Sequence, residues 1–559
     1  MKLKRTVVAP ALVAGVALVS GGWLLQQGVN GQQSVFQRAR IFDEVLQYVE
    51  TRYVEPQTES DLYQKAIEGM LHQLGDPHTT FMTADEYAQL HLQTTGEYGG
   101  LGIQIAPREG YITAVGVLPE TPAERAGMRV GDALLEVDGK DAKGWTDDFA
   151  VKQLRGPVGT PVRLKVRRVG VDQPITFTIN REEIHVRSVP YAYMAAPGVG
   201  YVDLTIFAQT STQELRAAID RLRAQGARKL VLDLRGNPGG LLDQGVAISD
   251  LFLKRGQSIV ETRARDPRES ETFRATTDEA YDLPMVVLVD PYSASAAEIV
   301  AGALQDHDRA LVVGSTSYGK GSVQSLFRLS GGNFLKMTTG KWYTPSGRSI
   351  QKPYRAESGD DAEADTAVMD TSAAAQNDTT KRRAYRTDGG RTVYGGGGIV
   401  PDLIVRDTTT LAERALITAV SKKAATYTDV LMRYAVEFER RTPGLAQNFQ
   451  VTPEMRRELY DRLRRAGVEV TPEQWAGGQR WIDLQIGNEI ASSRFGRAVA
   501  AQRNDVADRT LQEAVRLLQR APTQAALFRE AEAQRVVQAQ TQRPAAVRPA
   551  AVRPAQAPR

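Results

Sequence analysis

At 559 residues the chain is too long for one hydrophobic core, and its length implies several folded units. A net charge of +4 on that length excludes the dense positive field that nucleic-acid binding requires. The absence of cysteine excludes disulfides, thiolate nucleophiles and cysteine-ligated metals.

In chain order, Met1-Lys-Leu-Lys-Arg5 is a positive stretch ahead of a mostly apolar run from Thr6 to Leu25. That pairing reads as an export signal, and about twenty apolar residues suffice to span a bilayer. Residues 1–32 are therefore expected to be a signal peptide or a membrane anchor, the anchor being favoured because no Ala-x-Ala type of site precedes Gln26-Gln27. From 33 to 94, Phe36, Ile41, Val45, Leu46 and Val49, then Leu62, Ile67, Leu71 and Leu74, recur at helical spacing, with breaks at Pro56 and Asp76-Pro77. This predicts a small helical domain in which His72, Asp76 and His78 surround a proline turn and bind no metal.

Residues 95–184 change texture to short strand-like runs such as Ile103-Gln-Ile105, Val162-Arg-Leu-Lys-Val166 and Ile175-Thr-Phe-Thr-Ile179, separated by Gly and Pro. Within 185–409, apolar strands alternate with helices: Gly200–Leu204 before Ser211–Gln225, Lys229–Leu234 before Leu241–Phe252, and Met285–Val289 before Ser295–Gln305. Continuous apolar strands in such alternation predict a buried, largely parallel sheet with its active site at the strands' carboxyl ends. Residues 355–392, rich in Ala, Asp, Ser, Thr and Gly, are expected to be a disordered insertion, followed by a last strand over Ile399–Val405. Residues 410–538 carry helical periodicity, and 539–559 form a low-complexity Pro/Ala/Arg tail that buries no core.

The chemistry gathers in two stretches. Val289-Asp-Pro-Tyr-Ser-Ala-Ser-Ala-Ala-Glu298 is a strand end, a turn and a helix start, where Ser295 can present its hydroxyl beside free backbone N–H groups. Ser293 or Ser295 alone would more often be a helix cap. Leu311-Val-Val-Gly-Ser-Thr-Ser-Tyr-Gly-Lys-Gly-Ser-Val-Gln324 then places Lys320 between glycines directly after a buried strand. A serine hydroxyl needs a base, and a lysine serves only when uncharged near neutral pH, far below its ordinary ~10.4, which burial away from water achieves. Gln324 offers an amide oxygen to fix the direction of the amine.

On these residues the chain resembles the carboxyl-terminal processing, or tail-specific, serine proteases. The resemblance also rests on Gly99-Gly-Leu-Gly-Ile103, Ala126-Gly-Met-Arg-Val-Gly-Asp132, Asp233-Leu-Arg-Gly-Asn-Pro-Gly-Gly-Leu241, Tyr318-Gly-Lys-Gly321 and Lys341-Trp-Tyr-Thr-Pro-Ser-Gly-Arg348, and it runs from about Phe36 to Val405. It implies a multi-domain α/β protein with a crotonase-like protease core, an inserted PDZ domain and helical N- and C-terminal parts. It further implies Ser295 as nucleophile, Lys320 as general base, Gln324 as the orienter of the lysine, and the backbone amides of Gly240 and Ala296 as oxyanion hole. Gly100, Leu101, Gly102 and Ile103 become the loop and strand edge that take a substrate's C-terminal tail. Asp306 matches an acidic position of the family, with a helix-end structural role as the alternative. No cofactor or metal is implied. The partners expected are protein C-termini and, through the N-terminal segment, a membrane, with a homo-oligomer or an adaptor protein left open. The location expected is the periplasm or cell envelope.

Three rival readings are weaker. Gly314-Ser-Thr-Ser-Tyr-Gly-Lys320 mimics a phosphate-binding loop, but Gly321 stands where Ser or Thr must bind magnesium, and Val323–Phe327 reads as a strand where a helix is needed. A Ser-His-Asp triad through His307 would leave Lys320 without a role. A non-catalytic PDZ scaffold or chaperone would leave the whole Ser295–Lys320 constellation unused.

Overall fold

The computed structural model describes residues 35–168, 170–352, 382–405 and 409–541. The expected signal or anchor (1–32), most of the expected insertion and nearly all of the tail lie outside them. Among the described residues no helix is long and apolar enough to cross a membrane. Two compact units separate: one runs to Thr83 and includes Ser325–Thr338, and the other comprises Ala84–Gln324 and Thr339–Arg559.

In the first unit, helices Val35–Arg52 and Glu59–His72 are followed by the strand Thr80–Met82, which pairs antiparallel with residues 334–336. Thr58 caps the second helix by accepting from Asp61 N. Asp76 shapes the proline turn, accepting from His78 N at 3.0 Å and Thr79 Oγ1 at 2.6 Å.

The second unit opens with the helix Ala84–Thr95 and continues with the strand Glu97–Gly100 (β1), then Ile103–Arg108 (β2), Tyr111–Val117 (β3), Ala133–Val137 (β4), helix Asp147–Leu154 (α1), and strands Pro161–Arg167 (β5), Ile175–Asn180 (β6) and Glu182–His185 (β7). The main sheet runs β2-β3-β4-β5-β6, so β2 is an edge strand, and β1 pairs with β7 in a separate two-stranded ribbon. Alternation in β5 buries Val162, Leu164 and Val166 against Ile112, Leu134 and Ile179 and leaves Arg163 outside, as a half-buried antiparallel strand requires.

The expected catalytic core follows: Tyr191–Ala196 (β8), Val199–Asp203 (β9), helix Ser211–Ala224 (α2), Lys229–Asp233 (β10), helix Leu242–Asp250 (α3), Met285–Val289 (β11), helix Ala296–Asp306 (α4), Leu311–Gly314 (β12) and Leu403–Ile404 (β13). These strands form one sheet in the order β8-β9-β10-β11-β12-β13, parallel from β9 to β13. Every residue of β11 is buried because both faces of the sheet are covered. One face packs on α2, α3 and α4.

The C-terminal part contains helices Leu411–Ser421 (α5), Ala424–Arg441 (α6), Pro453–Arg465 (α7), Gln479–Phe495 (α8), Arg497–Asp505 (α9), Arg509–Arg520 (α10) and Gln524–Thr541 (α11). The first five share a core around Leu431, Tyr434, Leu459 and Ile486. Helices α10 and α11 instead send Leu511, Ala514, Leu517, Leu518 and Leu527 onto the second face of the six-stranded sheet, against Val231, Val286, Leu288 and Val313.

Two expectations change. The last strand shrinks from Ile399–Val405 to Leu403–Ile404. The end of the expected disordered insertion is ordered: Ala384–Arg386 pairs antiparallel with Thr392–Tyr394. Its polar residues find partners that composition does not reveal, for Arg391 pairs with Asp308 and Asp402, and Asp388 N donates to Asp306 O at 2.9 Å.

Candidate active site

Strand β11 ends at Val289, and the chain reverses through Asp290–Ala294 into α4. Ser293 is fully buried and structural: its hydroxyl donates to Leu234 O at 2.8 Å and accepts from Asp290 N at 2.9 Å. Ser295 is half-buried, with φ 53° and ψ −116°, a conformation that costs a non-glycine residue on the order of 1–3 kcal/mol and persists only where the surroundings impose it. They do so through Ala294 N, which donates to Asn237 O at 2.9 Å, and Ser295 N, which donates to Glu298 Oε2 at 2.9 Å. Ala296 is the first residue of α4, so its N–H has no acceptor within the helix.

The Asp233–Leu241 loop lies directly against this turn. A Cβ on Gly239 would come within 2.8 Å of Ser295 Cβ and 3.0 Å of Ala296 N, so only glycine allows the approach. Gly240 has φ 144°, and a Cβ there would sit 2.2 Å from Phe207 O. The bridge between Phe207 and Gly240 uses the N–H groups of Phe207 and Leu241 and leaves that of Gly240 outside it.

The lysine arrives on the loop after β12. Lys320 is half-buried, and its backbone N donates to Glu298 Oε2 at 2.9 Å. Since Ser295 N reaches the same oxygen at the same distance, the two backbone nitrogens lie within twice that distance of each other. Gln324 is also half-buried; its amide nitrogen donates to Ser322 Oγ at 2.9 Å.

Glu298 joins the two loops. Oε2 accepts from Ser295 N and Lys320 N, while Oε1 accepts from Ser317 Oγ at 2.5 Å and Gly319 N at 2.7 Å. Burial pushes its carboxyl up to about 7, against the pull of those donors toward the charged form. The sequence signal for Glu298 is its place three residues after Ser295, the spacing of a capping box.

Asp306 ends α4 in a buried ion pair. Buried with Arg348, it pairs with that guanidinium at 2.7 Å and accepts from Thr344 Oγ1 and Ser346 N. His307 faces Asp388 Oδ2 at 2.6 Å and Ser258 O at 2.7 Å, so both ring nitrogens are engaged away from Ser295. Among the described residues no cluster of His, Asp and Glu is arranged to hold a metal.

At the expected tail-binding loop, Leu101 is buried and Gly102 has φ 79°, with Leu118 N donating to Gly102 O and Ala123 N to Leu101 O. Gly100 packs against the ring of Tyr98. Ile103 opens the edge strand β2, which among the described residues pairs on one side with β3 and has no strand on the other, alongside α1.

The carboxy-terminal-processing protease of Bartonella bacilliformis is 40% identical to this chain over 346 residues, which are 61% of this chain and 79% of the relative. The chain belongs to the carboxy-terminal-processing proteases. The carboxy-terminal processing protease CtpA of Bacillus subtilis is 33% identical over 357 residues, 63% of this chain and 75% of the relative. Residues 198–357 match peptidase family S41, residues 89–167 the PDZ domain, and residues 23–86 the N-terminal domain of the activating protease CtpB. Among solved structures, the photosystem II D1 C-terminal processing protease is similar at 29% identity and a TM-score of 0.33, over 56% of this chain and 90% of that one. As a carboxy-terminal-processing protease the protein is a serine-type endopeptidase with a PDZ domain. The phosphate-loop and scaffold readings therefore fall away.

Proposed function

We propose that this protease hydrolyses peptide bonds of exported proteins through a Ser295–Lys320 dyad, after its PDZ domain has captured the substrate's C-terminal tail. The observation that carries the reading is Glu298, whose one buried oxygen accepts from the backbone of both Ser295 and Lys320 and so holds nucleophile loop and base loop side by side.

In this reading uncharged Lys320 takes the Ser295 proton as the hydroxyl attacks the scissile carbonyl, with Gln324 orienting the amine. The N–H groups of Gly240 and Ala296 stabilise the oxyanion, and losing one such donor typically costs about 3 kcal/mol of barrier. The protonated lysine then gives its proton to the leaving amine, and water resolves the acyl-enzyme. On the PDZ domain, successive amides of Gly100, Leu101 and Gly102 receive the terminal carboxylate, while β2 from Ile103 pairs with the tail and leaves alternate side chains for apolar pockets. The segment 1–32 delivers the protein outside the cytoplasm and holds it at the membrane.

The test is cleavage of an exported protein with an apolar tail, mapped by mass spectrometry. Ser295→Ala and Lys320→Ala should each lower turnover by roughly 10⁴-fold or more while leaving tail binding unchanged. Retained cleavage in either variant would overturn the dyad.

A further inference from the structure

Arg235 is the third residue of the Asp233–Leu241 loop, and its side chain is held from two directions. Its Nε and Nη2 donate to Asp233 at 2.9 Å and 2.6 Å, and its Nη1 and Nη2 donate to Asp508 at 3.0 Å and 2.6 Å. Asp233 is itself fixed at the end of β10, where it also accepts from Tyr201 OH at 2.9 Å. Asp508 comes from the far end of the chain, 273 residues away in sequence.

Asp508 is a rigid anchor. It caps α10 by accepting from Leu511 N at 2.9 Å, and α10 is packed on the sheet through Leu511, Ala514, Leu517 and Leu518. From Arg235 the chain reaches Gly240 in five residues, under close restraint. Gly236 N donates to Asp290 Oδ1 at 3.0 Å, Gly239 N donates to Asn237 Oδ1 at 2.8 Å, and Asn237 O accepts from Ala294 N beside the nucleophile. A cavity of about 300 Å³ lined by Leu484, Gln485, Asn504, Ala507 and Thr510 opens next to the Arg235–Asp508 pair. Without the charge of Asp508, the Nη1 edge of the guanidinium has room there to turn away from the loop.

We infer that Asp508 is a positioning residue for catalysis, holding Arg235 from the C-terminal helices and, through Arg235, the loop that aims the Gly240 amide. The inference rests on the proposed oxyanion role of Gly240. It makes the C-terminal helices part of the catalytic apparatus.

The surrounding charges favour this role. Asp203, Asp233, Asp505 and Asp508 gather around the single Arg235 guanidinium. Burial, reinforced by the charge of Asp233, pushes the Asp203 carboxyl up to about 7, and burial pushes that of Asp505 up to about 6. Burial works against the charge on Arg235, but Asp233 and Asp508 outweigh it and hold the guanidinium above its ordinary value.

The experiment measures kcat, KM, tail affinity and melting temperature for the full chain and its Asp508→Asn, Asp508→Glu and Ser295→Ala variants, using one tail-bearing quenched peptide. Asn caps a helix about as well as Asp, so D508N keeps α10 capped while removing the charge. The expected result for D508N is a fall in kcat of on the order of 10²-fold, with KM and tail affinity within about twofold. Its melting temperature should move by no more than roughly 4 °C, and D508E should recover most of kcat. An unchanged kcat in D508N overturns the inference while the dyad stands, provided that Ser295→Ala is inactive. A parallel loss of kcat, tail affinity and melting temperature that D508E does not repair also overturns it, because Asp508 would then be purely structural. Activity surviving in Ser295→Ala overturns the site reading and this inference with it.

Discussion

Glu298 is a carboxylate set among four donors and no acceptor, which requires the charged form in a place where burial disfavours it. Protonation adds an O–H that needs an acceptor, and Ser317 Oγ already accepts from Ile399 N at 2.7 Å. A proton on Glu298 therefore displaces one of its present donors: the Ser317 hydroxyl, which must turn to accept the new O–H with its second lone pair, or a backbone amide of the Ser295 turn or the Lys320 loop. The sign follows from the raised value. Below about 7 the folded protein holds the proton, so turnover should fall as pH drops through about 7. The same proton relieves the cost of burying charge, so this group's contribution to stability improves between about 7 and its ordinary value of 4.5. Acid should thus weaken activity without weakening the fold at this site. Glu298→Gln removes the titration and turns an NH₂ toward N–H donors. It should lower kcat by on the order of 10²-fold and remove Glu298's part of the acid limb in the pH–rate profile, leaving the part that belongs to the proposed base Lys320. A limb that persists in the variant would belong to Lys320, whose protonation removes the proposed base, or to Asp203 or Asp505, which titrate in the same window.

At the scale of elements, the strand–helix alternation of the protease core was legible because β9, β10 and β11 are continuous apolar runs, which only a sheet covered on both faces produces. The place of Ser295 in the fold was legible from the same source, because an apolar strand end followed by small residues marks a turn into a helix. The hairpin at 384–394 was not, because its order comes from Asp308, Asp402 and Asp306 rather than from its own composition. Nor was the hold of Asp508 on Arg235, as no local period links residues so far apart. The glycine loop lies between these extremes: its motif was readable, but which glycines are indispensable is a matter of packing. A Cβ on Gly239 meets Ala294 O at 2.7 Å and Ser295 Cβ, whereas at Gly236, with φ 68°, it meets nothing within 4 Å. Gly236→Ala should cost only about 1–2 kcal/mol of stability for its left-handed backbone and keep most activity. Gly239→Ala should displace the nucleophile turn and reduce kcat by on the order of 10²-fold with tail binding intact. Peptide kinetics on the matched pair, with melting curves for both, separates close approach from mere backbone preference.

For the whole molecule, the question is what covers the second face of the protease sheet. Helices α2, α3 and α4 cover one side, and a parallel sheet left bare on the other would expose Val231, Val286, Leu288, Leu311 and Val313 to water. Helices α10 and α11 bury them, and each such side chain is worth roughly 1.5–3 kcal/mol when fully removed from water. That sum rivals the 5–15 kcal/mol by which a folded domain typically exceeds its unfolded chain. A chain truncated after Thr409 keeps every residue of the proposed site, yet should not reach a stable fold. It should accumulate in the insoluble fraction, or bind a hydrophobic dye without a cooperative melting transition. Leu517→Ala is the gentler version: fully buried in the full-length chain, it should cost about 2–5 kcal/mol and lower the melting temperature while leaving KM unchanged. A truncated protein that stayed monomeric and melted cooperatively would mean that the sheet finds its cover without the C-terminal helices. The coupling of Asp508 to Arg235 would then be an attachment between independent domains, and not a product of one shared core.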